Sequence, residues 1–208
     1  MKEQFSLNSP WVQRFAMLTN LVCLNFLWLI CCIPVFTAGA ATSALYYTIF
    51  LYHSKEDDAV LRPFFRAFKA NFKQATLLLL PLLAVVAVLV FDLVYLMTQG
   101  KGTAIIFLLI VVTFFVMGLL VHLFPLIARF NMTTKALLRT AFSLEMLHLP
   151  ATFTVIASTL LPIFLLIFQP SLFLRLGIAW AGIWFSAIAY VFGKFLLRVW
   201  NKHAPSNN

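Results

Sequence analysis

Charge is what this chain has least of. Of its 208 residues only 10% are charged, and six acids stand against fifteen Lys and Arg. An ordinary soluble surface needs about a quarter of its residues charged, so a globular soluble domain is excluded. Glycine is scarce as well. The seven glycines are dispersed and no G-x-x-x-x-G-K-[ST] run occurs, so the chain has no phosphate-cradling loop and no ATPase of its own. The three cysteines, Cys23, Cys31 and Cys32, share one apolar run without zinc-ligand spacing and read as core thiols. His53, His122, His148 and His203 are scattered over four segments with no two-His helical spacing. No catalytic residue, metal site or cofactor is therefore assigned, and the chain is not expected to be an enzyme.

What it has instead is apolar length. Hydrophobic residues make up 63% of the chain, 23 of them Phe. Apolar runs cover about 18–36, 38–53, 75–97, 103–127, 150–168 and 172–193, and a helix needs about 20 residues to cross a bilayer. The first two runs are short and separated only by the turn-like IPVFTAGA, so they read as a tight helical hairpin or as one broken crossing. A signal peptide ending at the small residues Ala38 to Ala40 is rejected, because the preceding run is too long for one and a further apolar run follows at once.

The basic residues orient these spans. Segment 54–74 carries five Lys or Arg, 98–102 one, 128–149 three, 169–174 none, and the tail 194–208 three. Positive charge gathers on the cytoplasmic side. Segments 54–74 and 128–149 and the C-terminus are thereby placed in the cytoplasm, and Lys2 and Arg14 place the N-terminus there too. The expected fold is all-α, a single polytopic transmembrane helical bundle over 1–208. Six spans are expected; the alternative is five, with an external N-terminus.

Two segments between the spans are amphipathic. In LRPFFRAFKANFK, advanced about 100° per residue on a helix that begins with Pro63 in its first turn, Arg62, Arg66, Lys69 and Lys73 form one stripe. Phe64, Phe65, Phe68 and Phe72 lie on the neighbouring face. Such a helix, over about 61–74, suits the inner leaflet, with the rings in the acyl boundary and the basic side chains on anionic head groups; the same Phe face could instead pack on the protein's own spans. Lipid phosphates are nearer than nucleic acid, so the net charge of +9 needs no nucleic-acid partner. A second basic helix is expected over about 134–147. An offset of 73 residues lays Arg62 on Lys135 and Arg66 on Arg139, which a parallel repeat or a chance match of two basic loops would equally give.

Two further features concern packing. The run TAGAATSA sets small residues four apart, Ala40 with Ala44 and Gly39 with Ser43. Together with Pro34 and Thr37 it forms a close-packing element, either within this chain or as a seam for another subunit. Asp92 is the only acid within a proposed span. It either pairs with Arg175, at a similar depth, or snorkels to external water beside Tyr95.

The hairpin NFLWLICCIPVFTAGAATSALYY, with Asn25, Trp28, Pro34, Thr37, Gly39 and the Ala44-Leu45-Tyr46 triplet, followed by DDAVLRPFFRAFKANFKQA, resembles the YesL family of bacterial integral membrane proteins, the domain of unknown function 624. The likeness is sharpest over about 15–76. It implies a name more than a mechanism. Members look like companions of carbohydrate uptake and utilisation systems, often encoded beside sugar-binding proteins and transporter subunits. Two functions follow as expectations. One is a non-catalytic accessory or interaction subunit, touching the bilayer, anionic head groups and the membrane subunits of a carbohydrate importer or a sensing system. The alternative is a small transporter or channel with its own substrate path, which the sparse ionisable residues in the spans disfavour.

Overall fold

The computed structural model describes residues 10–54, 60–100 and 102–203. Lys2 and the rest of 1–9, residues 55–59, Lys101 and the end of the tail, 204–208, lie outside the described residues. Helix α1 (Pro10–Cys32) and α2 (Ala38–Ser54) are joined by a 3-10 turn at Val35–Thr37. Pro34 ends the first helix by taking an extended conformation, with φ −78° and ψ 116°, as a residue without an N–H donor should. The Thr37 hydroxyl turns back onto the carbonyls of Pro34 and Cys31 and occupies acceptors that the end of α1 leaves free. The two short runs are thus a hairpin of two helices, both long and apolar enough to cross a membrane.

Helix α3 (Leu61–Gln99) is the longest element, at 39 residues. At about 1.5 Å per residue it is roughly 58 Å long, against a hydrocarbon core of about 30 Å. The amphipathic segment expected over 61–74 is helical, but as the first third of this rod and not as a separate helix lying on a leaflet. No breaker separates the segment from the apolar run: Pro63 sits in the first turn, no glycine lies between Lys73 and that run, and Pro81 lies inside the helix without ending it. Gly100 and Gly102, with φ of 63° and 82°, make the left-handed turn into α4 (Thr103–Arg129), a conformation that glycine adopts without a Cβ penalty.

The second amphipathic segment, α5 (Thr134–Leu147), is by contrast a helix of its own. His148 breaks it from α6 (Leu149–Phe168), where Pro150 occupies the first turn. The expected sixth run also divides. Gln169 and Leu176 bound a short helix α7 (Pro170–Arg175), after which α8 (Gly177–Ala179), a π-helical turn (Trp180–Trp184) and α9 (Phe185–His203) form one continuous rod. Among the described residues six helices are long and apolar enough to span a membrane.

The core sits at one end of this bundle. Its members come from Gly39–Phe50 of α2, Pro63–Leu79 of α3, Gly118–Ala128 of α4, and the inner faces of α5 and α9. From Leu80 through Met117 no described residue is buried. The far halves of α3 and α4 therefore stand clear of the chain's own core, presenting Val88, Phe91, Phe107 and Leu108 outward. Apolar side chains gain little by leaving lipid for a helix interface, so close backbone approach and hydrogen bonds must hold the packed end. Both occur on α2. Ala40, Ser43 and Ala44 are wholly buried, and a Cβ on Gly39 would stand 2.9 Å from the Ala75 carbonyl oxygen and 2.9 Å from the Phe124 ring. Asn71 of α3 donates to Ser43 Oγ at 2.8 Å, and Thr76 donates to the Phe36 carbonyl at 3.0 Å.

Candidate functional site

The basic stripe forms as its spacing requires: Arg62, Arg66, Lys69 and Lys73 are all exposed on the first third of α3. The rings beside them do not share one fate. Phe65 is 50% exposed, whereas Phe64 is fully enclosed and Phe68 and Phe72 pack on the core. A lipid-facing role thus lies open to Phe65 and closed to Phe64. Arg66 donates to the Tyr47 hydroxyl at 2.7 Å, which fixes the stripe to α2. Of the small-residue element, Thr37, Gly39, Ala40, Ser43 and Ala44 are buried against α3 and α4 within this chain, and Pro34 is exposed. Enclosed residues cannot serve as a seam for another subunit. Asp92 and Arg175 do not meet. Both are exposed, and the break at Gln169 places Arg175 at the end of α7, off the helix that was expected to carry it beside α3.

Several residues behind the family resemblance have defined tasks. Asn25 is wholly buried; its Nδ2 donates to the Ala181 carbonyl at 2.6 Å and its Oδ1 accepts the Ser186 N–H at 3.0 Å. It thereby holds the π turn, where the backbone leaves regular helical bonding. Trp28 Nε1 donates to Thr42 Oγ1 at 3.0 Å and ties α1 to α2.

The most unusual chemistry lies where α4, α5 and α6 meet. The buried face of α5 is Leu137, Ala141, Leu144 and Glu145, the spacing of one helical stripe, so a carboxylic acid occupies a core position. Glu145 is fully enclosed and neither of its oxygens has a hydrogen-bond partner. It rests on the bare backbone of Gly118: a Cβ there would lie 1.9 Å from Glu145 Oε1 and 2.9 Å from Thr152 Cγ2. One turn further along α4, His122 is also fully enclosed, with Nε2 2.9 Å from Thr152 Oγ1 and Nδ1 unpartnered. Among the described residues four buried side-chain polar atoms lack a partner, and three belong to Glu145 and His122. Burial pushes the Glu145 carboxyl up from 4.5 to about 7, because the charged form loses its hydration. Sequence reasoning missed this cluster. Glu145 lies outside every apolar run, and the available signal was a lone acid falling in register with Leu137, Ala141 and Leu144. No group of three or more His, Cys, Asp or Glu side chains that could hold a metal occurs among the described residues.

Among the clefts elsewhere, two are lined mainly by apolar side chains. One, of about 200 Å³, is bounded by Trp28, Tyr46, Phe124, Val155 and Phe185 between α1, α2, α4, α6 and α9. The other, of about 460 Å³, lies between α6 and α9 around Ser158, Trp184 and Phe195.

Comparison with known proteins finds a family likeness over part of the chain. Residues 21–93 match the family model described as "Protein of unknown function, DUF624", a range that holds Asn25, Trp28, the small-residue element and most of α3. The chain is also 27% identical over 164 residues, covering 78% of its own length and 72% of the relative's, to "Uncharacterized protein YteU" of Bacillus subtilis (strain 168). No solved structure matches. The resemblance read from the hairpin and the basic helix is borne out.

Proposed function

We propose that this chain, a DUF624 protein over residues 21–93, is a non-catalytic accessory subunit of a carbohydrate uptake or utilisation system in the bacterial plasma membrane, with both termini in the cytoplasm. One observation carries the reading. The first third of α3 holds Arg62, Arg66, Lys69 and Lys73 exposed on a segment fixed to α2 through Tyr47 and Ser43. A helix of roughly 58 Å overreaches the hydrocarbon core, so this basic, aromatic-rimmed end stands at or beyond the head groups, rigid enough to recognise anionic lipid and an acidic surface of a partner. The carbohydrate link rests on the company that the resembling family keeps.

Photocrosslinking in native membranes from an unnatural residue at Lys69 tests the reading. Membrane subunits of a carbohydrate importer should be captured, and replacing the four basic residues with Gln should reduce the capture. Adducts with lipid alone would overturn it. A second reading, a small transporter with its own path, is favoured by the enclosed acid and imidazole at Glu145 and His122, since buried titratable groups in membrane proteins mark proton routes. Flux of a sugar or of protons through the purified chain in proteoliposomes would decide for it.

A further inference from the structure

Hydrogen-bond direction inside the α4–α5–α6 cluster is constrained by what each group can give. Thr152 has one hydroxyl hydrogen, and its Oγ1 lies 3.3 Å from the His148 carbonyl, which can only accept. With that hydrogen committed, Oγ1 accepts from His122 Nε2–H across 2.9 Å. A neutral imidazole protonated at Nε2 leaves Nδ1 as a bare acceptor, and Nδ1 has no donor. The other unpartnered side chain on this face of α4 is Glu145, seated at Gly118, four residues and so about 6 Å along the axis from His122. Nδ1 and both Glu145 oxygens stand without partners, so the two groups do not compensate each other.

The groups around Glu145 offer no compensation. On α4 the facing titratable residue is His122, while Arg129 is exposed at the helix end. Helix α6 carries no titratable residue, and on α5 itself Lys135 and Arg139 point outward. His148, at the junction of α5 and α6, turns its ring onto Phe195. A buried charge without a partner is among the costliest features a core can contain.

We propose that Glu145, enclosed against Gly118, is a one-proton binding site that latches α5 onto α4 and α6. In the latched state the proton is covalently held on a Glu145 oxygen and the neutral carboxyl stays seated on the Gly118 backbone. When the proton leaves to water the carboxylate must be rehydrated, and α5 swings off Gly118 to let water reach it. The site is independent of both readings of function: it would make an accessory subunit responsive to pH, and it would give a carrier its coupling proton. The upward displacement of the Glu145 carboxyl to about 7 puts the change in the physiological range.

The full chain in neutral-lipid nanodiscs provides the test. Infrared difference spectra between about pH 5.5 and about pH 8.5 should contain a protonated-carboxyl band that is lost near neutrality, well above the ordinary Glu value of about 4.3, and that is absent from Glu145→Gln. Amide hydrogen exchange over Thr134–Leu147, corrected for its intrinsic pH dependence, should quicken about tenfold across the same range in the unmodified chain. It should stay slow in Glu145→Gln, whose neutral amide mimics the protonated acid. Absence of the band at acid pH, or the same quickening in Glu145→Gln, would overturn the latch. If Glu145→Gln does not fold, the band of the unmodified chain, assigned by isotope-labelled glutamate, decides alone. A failure here leaves the accessory reading untouched, since crosslinking from Lys69 does not depend on Glu145.

Discussion

Gly39→Ala should be disproportionately harmful for the addition of one methyl group. The new Cβ would meet the Ala75 carbonyl oxygen at 2.9 Å, Phe124 Cε1 at 2.9 Å and Leu79 Cβ at 3.2 Å. Two of these neighbours cannot yield cheaply. The carbonyl belongs to the backbone of α3, and Phe124 is itself buried. To restore ordinary contact α2 must move away from α3 by about half an ångström, and that movement also stretches the 2.8 Å bond from Asn71 to Ser43. Overpacking of this kind costs about 1–3 kcal/mol. Alanine returns up to about 1 kcal/mol through helix propensity, less at the second residue of a helix than in its interior. The net loss should be about 1–2 kcal/mol, or roughly 2–8 °C in the thermal midpoint for a chain of this size. Gly182→Ala is the control, since a Cβ there meets nothing within 4 Å. Both variants would be melted in the same detergent and followed by helical circular dichroism. If Gly39→Ala matches Gly182→Ala, the hairpin is not held by close approach and the account of α2 is refuted.

Asn25→Ala removes the side chain that binds Ala181 and Ser186. It leaves the buried Ser186 N–H without its side-chain acceptor, at about 1–3 kcal/mol, so the midpoint should fall about as far as for Gly39→Ala, with the earliest loss of exchange protection at the π turn Trp180–Trp184. Asp92→Asn and Arg175→Gln should be additive in a double-mutant cycle of thermal stability, because both side chains are exposed and unpaired with each other. A coupling beyond about 0.5 kcal/mol would restore the ion pair.

The fold was legible because its strongest signals are local. Apolar length and the bias of Lys and Arg delimit the spans, Pro34 and Gly39 mark the hairpin turn, and the spacing of Arg62, Arg66, Lys69 and Lys73 places them on one exposed stripe. What stayed illegible depends on neighbours distant in sequence. The fates of Phe64 and Phe65 differ because α2 covers one side of α3 and not the other, and periodicity cannot state which apolar residue of a broad face is covered. The continuity of α3 and the break between α5 and α6 were likewise open. Similar basic segments precede both spans, and the sequence difference lies in His148-Leu149-Pro150, where Pro150 has no N–H to continue the ladder of α5 and fits the first turn of a new helix.

Glu145 is the clearest case of a residue whose meaning lies in its partner, and Gly118 is the position from which to test it. Burial raises the carboxyl from 4.5 to about 7, so the seated state binds the proton more tightly than the unseated one. Stability contributed by the seat is therefore complete below about pH 4.5, declines as pH rises toward 7, and is lower by about 3 kcal/mol above it. Gly118→Ala would put a Cβ 1.9 Å from Glu145 Oε1 and expel the carboxyl into water. The variant gives up the packing of the latched state but also escapes the penalty of an enclosed anion. It should melt well below the unmodified chain at acid pH, and the difference should shrink as pH is raised through neutrality. Thermal midpoints of both proteins, taken in one detergent across that window, measure the difference directly. A gap that stays constant with pH would mean that Glu145 titrates as an ordinary exposed acid, and the seat on Gly118 would be packing alone.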